Sequence, residues 1–149
     1  MFIDSYLRVS SSQALTATAV STDKIDLGAP TVRNQIGDGE AMGFGMAVIV
    51  AADFTTGDET YAFEVVSDED PALGSPTVHA RYTRTAAQLA LGSLHFFPFP
   101  QDSLQLAERY IGMNYVLAGT TPTITVTTWF TARSLFSLTA RAYTKGYTV

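Results

Sequence analysis

The sequence predicts an all-β fold, an antiparallel jelly-roll sandwich with extended N- and C-terminal segments, and three observations carry that expectation. Apolar residues recur at every second position in one segment after another, the pattern of strands buried on one face. Threonine and valine are abundant throughout, and β-branched side chains suit a pleated, half-buried surface better than a helix. Helix signals are scarce and no strand–helix–strand rhythm occurs, which sets aside parallel α/β architectures. With 149 residues, of which 46% are hydrophobic and 15% charged, the chain can build one self-sufficient core and is far from the composition of a disordered segment.

Residues 1–20, rich in Ser, Thr and Ala, read as an N-terminal arm or first edge strand. Residues 21–132 carry the sandwich. Phe44, Met46, Val48 and Val50 fall on one face of a strand, and Tyr61, Phe63 and Val65 on one face of the next. The turn-rich segment from Asp53 to Glu59 between them predicts an antiparallel hairpin. Val78, Ala80 and Tyr82 mark a further strand, while Thr85 to Leu91, closed by Gly92, and the stretch from Asp102 read as a helical turn or two. Ile111, Met113, Tyr115 and Leu117 precede the turn Gly119-Thr120-Thr121-Pro122, and Ile124, Val126, Thr128 and Phe130 follow it, predicting a second hairpin. Trp129 falls opposite Thr128 and Phe130, facing outward or into an interface. Ile49, Val66 and Val116 also lie opposite the expected core, and this surplus of apolar strand faces predicts self-association. Residues 133–149 form a C-terminal extension, frayed in a monomer and an arm in an oligomer.

Charge narrows the partners. The net charge of -5 and pI near 4.8 repel phosphate backbones and anionic headgroups, so neither nucleic acid nor a membrane surface is expected as a partner. The distribution is uneven: residues 1–108 hold all fourteen acids, whereas residues 109–149 contain four bases, Arg109, Arg133, Arg141 and Lys145, and no acid. Such asymmetry marks an interaction surface or arises by chance in a sparse stretch. The N-terminus lacks a basic region followed by a continuous apolar run, although Ala17-Thr18-Ala19 has a small-x-small form, so no secretory signal is expected. The longest apolar stretch, Ala41 to Ala52, is broken by two glycines and falls short of the roughly 20 residues that span a bilayer.

Equipment for catalysis is sparse. The absence of cysteine removes thiol nucleophiles, disulfides and Cys-based metal sites. His79 and His95 stand sixteen residues apart without the spacing of a jelly-roll metal site, and read as strand residues with a polar tip. No Gly-x-Ser-x-Gly occurs, and Gly37-Asp38-Gly39-Glu40 and Gly43-Phe44-Gly45 lack the Gly-Lys-Ser/Thr of a phosphate cradle. Asp68-Glu69-Asp70-Pro71 offers hard oxygen ligands without the spacing of a calcium loop. Asp53, Asp58, Glu59 and Glu64 are close enough in sequence to supply a glycosidase acid pair, and Trp129 with seven tyrosines could line a sugar platform. A glycan-binding β-sandwich module is therefore the alternative function. The expectation remains no enzyme, no catalytic residues, no cofactor and no metal.

Taken in order, Met1-Phe2-Ile3-Asp4, Ser21-Thr22 and Ile25-Asp26-Leu27-Gly28 resemble the N-terminal arm of the small jelly-roll capsid cement, or decoration, proteins of tailed phages, typified by the cement protein of a Bordetella phage. Ile36-Gly37-Asp38-Gly39-Glu40 resembles that family's lead-in to its first long strand, and Ala52-Asp53-Phe54-Thr55 with Gly57 its hairpin loop. Ser75-Pro76-Thr77-Val78, Phe97-Pro98 with Pro100, Arg109-Tyr110-Ile111-Gly112-Met113-Asn114-Tyr115 and Gly119-Thr120-Thr121-Pro122 continue the likeness. It covers most of residues 1–132, its specificity lies in order and spacing, and residues 133–149 have no counterpart in it.

The resemblance implies a virion protein without catalytic residues, made in the host cytoplasm and carried on the outer capsid surface. It would bind the shell of the major capsid protein, bridge neighbouring subunits and form a homodimer. Joined to the acid-free stretch, it makes Phe2, Arg133, Arg141, Tyr143, Lys145 and Tyr147 the candidate capsid contacts, with Arg133, Arg141 and Lys145 steering association and Tyr143 and Tyr147 as anchors.

Overall fold

A computed structural model describes residues 5–28, 42–100 and 108–140 of the chain. After a short 3₁₀ turn at Ser5–Leu7, nine strands follow among the described residues: β1 (Arg8–Leu15), β2 (Ala19–Val20), β3 (Ile25–Asp26), β4 (Met42–Val50), β5 (Thr60–Asp68), β6 (Thr77–Arg84), β7 (Leu94–Pro98), β8 (Tyr110–Ala118) and β9 (Ile124–Ala132). One sheet has the order β1-β9-β4-β7 and the other β2-β8-β5-β6, with β3 also paired to β8, and all pairings are antiparallel. Because β2 and β3 share β8, they act as one interrupted edge strand. The chain then crosses from sheet to sheet at every step except β2 to β3 and the β5–β6 hairpin, which is the path of a jelly-roll sandwich.

Two expectations fail on this topology. β4 and β5 do not pair as a hairpin, nor do β8 and β9: β4 pairs with β7 and β9, and β5 with β6 and β8. The segments 51–59 and 119–123 instead carry the chain between sheets. Alternation shows that a strand has one buried face, and in a sandwich every strand has one, so it does not choose the partner.

The core lies where the alternation placed it over most of each strand. Phe44, Met46, Val48, Val126 and Phe130 of the first sheet face Tyr61, Phe63, Val65, Ile111, Met113 and Tyr115 of the second, all buried. Phe63 stacks on Phe97 across the two sheets at 5.1 Å and meets the Tyr115 ring edge-on at 6.2 Å. Each such ring contributes roughly 1.5–3 kcal/mol through area removed from water. Tyr115 also carries a polar latch: its hydroxyl lies 2.6 Å from Ser10 Oγ and donates to Thr128 Oγ1 at 2.9 Å, joining β8 to β1 and β9. Burial pushes the phenol up to about 12, against the pull of those two hydroxyls.

Val50 and Val78 are exposed although the alternation assigns them to the core. Register shifts place an extra residue next to each, Ile49 beside Val50 and His79 beside Val78, which turns Val50 and Val78 to the other face.

The C-terminal extension is not extended throughout. Directly after β9 the chain forms helix α1 (Arg133–Ala140), which folds back over the outer face of the first sheet. Register aligns Arg8, Trp129, Gly45 and Phe96 in one row across that face. The Trp129 ring lies across Gly45, and Phe136 of α1 completes the stack, 6.3 Å from Trp129 and 5.3 Å from Phe96. A Cβ at Gly45 would fall 2.7 Å from Trp129 and 2.9 Å from Phe136, so the missing side chain makes the slot the helix needs. Leu73, from the loop after β5, packs against Gly112, the register partner of Val66. Val66 and Trp129 are thus covered by the chain itself, while Ile49 stays partly exposed. Among the described residues no helix is long and apolar enough to cross a membrane.

Candidate functional site

The antiparallel strands gather loops 16–18, 51–59, 85–93 and 119–123 at one end of the sandwich. Carboxylates hold this end together. Asp58 accepts from Thr56 Oγ1 at 2.7 Å and, in the facing loop, from Thr120 N at 3.1 Å and Thr120 Oγ1 at 2.8 Å. Glu59 accepts from the Thr56 hydroxyl and from the Thr56 and Gly57 amides. Asp53 accepts from Thr55, and its own amide donates to Thr123 O at 2.9 Å. The Tyr61 hydroxyl, donating to Asp53 O and Thr123 O, closes the tie from beneath.

Hydroxyl donors hold Asp53, Asp58 and Glu59 all below the ordinary carboxylate range, Thr55 acting on Asp53, Thr56 and Thr120 on Asp58, and Thr56 on Glu59. None of the three is shifted upward, as the acid member of a glycosidase pair is. Glu64, the remaining member of the sequence quartet, is elsewhere: it lies on the outer face of the second sheet, accepting from Arg81 Nη1 at 2.8 Å and Asn114 Nδ2 at 2.7 Å.

The other singled-out residues have equally local partners. His79 Nε2 lies 2.7 Å from Ser67 Oγ, and Ser67 Oγ donates to Glu108 Oε2 at 3.3 Å. The serine stands between imidazole and carboxylate, whereas a nucleophile relay puts the imidazole in the middle, and Ser67 is fully buried. Desolvation lowers the His79 pKa, opposed by Glu108. His95 is 3.1 Å from Ser93 Oγ and stacks on Phe97, with its pKa lowered chiefly by burial. Asp68 accepts from the amides of Asp70 and Ser75, which lower its pKa, and Asp70 accepts from that of Ala72, so these carboxylates staple the β5–β6 loop. Among the described residues no group of three or more His, Cys, Asp or Glu is placed to hold a metal ion. Trp129 is only 4% exposed beneath α1 and offers no sugar platform.

Of the candidate capsid contacts, Arg133 opens α1 with its guanidinium 5.7 Å from the Phe96 ring centre, on the outer face of the first sheet. Phe2, Arg141, Tyr143, Lys145 and Tyr147 lie outside the described residues.

A family model matches residues 9–129, the stretch that runs from β1 into β9. The chain belongs to the Bbp16 family. Bbp16 is a family of Bordetella phage proteins, and membership together with the β-sandwich is consistent with a bacteriophage structural protein. No curated protein matches the chain. The Bbp16 match ends before Arg133, so α1 lies beyond it.

The same loop end carries exposed apolar side chains, of which the sequence alone marks Ile49 as a surplus apolar position and the others only as strand or loop residues. Phe54 is 66% exposed, Leu91 71%, Val50 56% and Ile49 41%. Their signal was legible in part: an aromatic inside Asp53-Phe54-Thr55-Thr56-Gly57 is unusual in a solvated turn. The exposure of Val50 was not, because it depends on the β4 bulge.

Proposed function

We propose that this Bbp16-family chain is a capsid cement, or decoration, protein that binds the outer face of a major capsid protein shell and bridges neighbouring subunits as a homodimer. The observation that supports it most is membership of a phage protein family over nearly the whole sandwich. The geometry agrees with a load-carrying role: the acids and imidazoles described above are engaged in holding loops and strands. Stability of such a layer comes from many modest contacts made together, since each bridge must break before two capsomers part. The protein then resides on the virion exterior.

The test is to mix the purified full-length protein with shells of the phage that lack it and measure co-sedimentation. Saturable binding at a fixed ratio to the shell protein, with raised resistance of the shell to heat, is expected. A protein that stays in the supernatant at every concentration would overturn the reading.

A further inference from the structure

The geometry points to the loop end of the sandwich as a docking surface, with Phe54 and Leu91 as its anchors and a basic, apolar-slotted surface of another protein as its occupant. This inference rests on the proposed function, in which that partner is the capsid shell.

Ile49, Val50, Phe54 and Leu91 all belong to this one end, which makes it the main apolar exposure of the described sandwich. Leu91 lies in a turn bonded on both sides to β4 and the residues just after it: Ala52 N donates to Leu89 O at 3.0 Å and Gly92 N to Val48 O at 2.9 Å. The turn therefore runs along residues 48–52, beside Ile49 and Val50. Phe54 follows immediately and is fixed from both flanks, by Asp53 N on Thr123 O and by Gly57 N donating to Phe54 O at 3.1 Å. An exposed aromatic on a loop already immobilised loses little freedom when it is buried by a partner, which is the property of an anchor residue.

Charge decides between occupants. The four loops contain Asp53, Asp58 and Glu59 and no Lys, Arg or His; the one cation bordering them among the described residues is Arg84 at the end of β6, its guanidinium 5.4 Å from the Phe97 ring centre, so the end is net acidic. Hydroxyl and amide donors keep all three carboxylates ionised. Two copies meeting end to end would bring these like charges together around the apolar patch, which disfavours a symmetric dimer here. Nucleic acid is repelled for the same reason. A protein surface that presents Lys or Arg around an apolar slot satisfies both features at once.

The experiment uses shells that lack the protein and three full-length variants, Phe54→Ser, Leu91→Ser and, as control, Val78→Ser, a comparably exposed valine on the β6 edge. All three positions are exposed, so melting temperatures should stay at the wild-type value. Phe54→Ser and Leu91→Ser are each expected to weaken shell binding about tenfold or more, and Val78→Ser to leave it unchanged. Added salt should weaken wild-type binding without abolishing it. Wild-type affinity in both anchor variants would overturn the docking surface while leaving the cement role standing. If Phe54→Ser instead dissociates a wild-type oligomer and leaves shell binding intact, the occupant is a second copy and the assignment of the partner is wrong. Failure of the wild-type protein itself to bind shells would overturn the cement reading and this inference with it.

Discussion

Replacing Tyr115 by Phe removes one oxygen from the centre of the sandwich and keeps the ring. Ser10 would retain Gln13 Oε1, 2.7 Å away, but Thr128 Oγ1, fully buried, would lose the donor it has in the Tyr115 hydroxyl. A buried polar atom left without a partner costs about 1–3 kcal/mol, which for a domain of this size lowers the melting temperature by about 2–10 °C. The pH dependence gives a second readout. A phenol raised from 10.0 unfolded to about 12 folded contributes stability that is complete below pH 10 and is lost as pH rises through 12. The two-unit difference corresponds to about 2–3 kcal/mol, and burial of the hydroxyl means solvent screening does not reduce it. Urea titrations from pH 8 to above 11 on wild-type and Tyr115→Phe protein check both effects. The variant should be less stable at pH 8 and lose less on going alkaline, while Thr128→Val in the same chain should restore much of the deficit. Equal stability of Tyr115→Phe and wild type at pH 8, with parallel alkaline loss, would refute the latch.

Three further outcomes follow from the packing. Gly45→Ala should cost about 1–3 kcal/mol by forcing apart Trp129 and Phe136, read as a lower denaturant midpoint. Phe136→Ala should uncover Trp129, the single tryptophan, giving a red-shifted emission and faster acrylamide quenching with the sandwich still folded. Asp58→Asn should loosen loop 51–59 from Thr120 and speed proteolysis there at neutral pH. Because the Asp58 pKa is depressed, the tether is present above 3.8 and lost as pH falls through the lower folded value, so the difference from wild type should vanish in acid.

The strands were legible in the sequence because burial on one face leaves a local trace: Phe44 to Val48, Tyr61 to Val65 and Ile111 to Leu117 show it without reference to any partner. Pairing leaves none. The loops after β4 and β8 have turn chemistry that fits a hairpin and fits a crossing equally, and the choice is made by strands far along the chain. Helix α1 was hidden for a similar reason. Its eight residues are too few to be stable alone, and they depend on the slot at Gly45 and the ring of Trp129. The apolar loop end was only partly readable, since Phe54 is visible as an oddity in its loop, whereas Val50 is turned outward by a bulge and Leu91 is carried beside it by backbone hydrogen bonds. Of the basic residues named as contacts, Arg133 is placed against Phe96, away from that end.

The attachment proposed for this Bbp16-family sandwich is to a capsid from outside. Adding the purified protein to shells that lack it and imaging the saturated particles by electron cryomicroscopy tests it most directly. Ordered extra density on the outer surface is expected, each unit the size of one or two sandwiches, spanning neighbouring shell subunits and touching them through the end that carries Phe54 and Leu91. Shells with bare outer surfaces at saturating protein would contradict it.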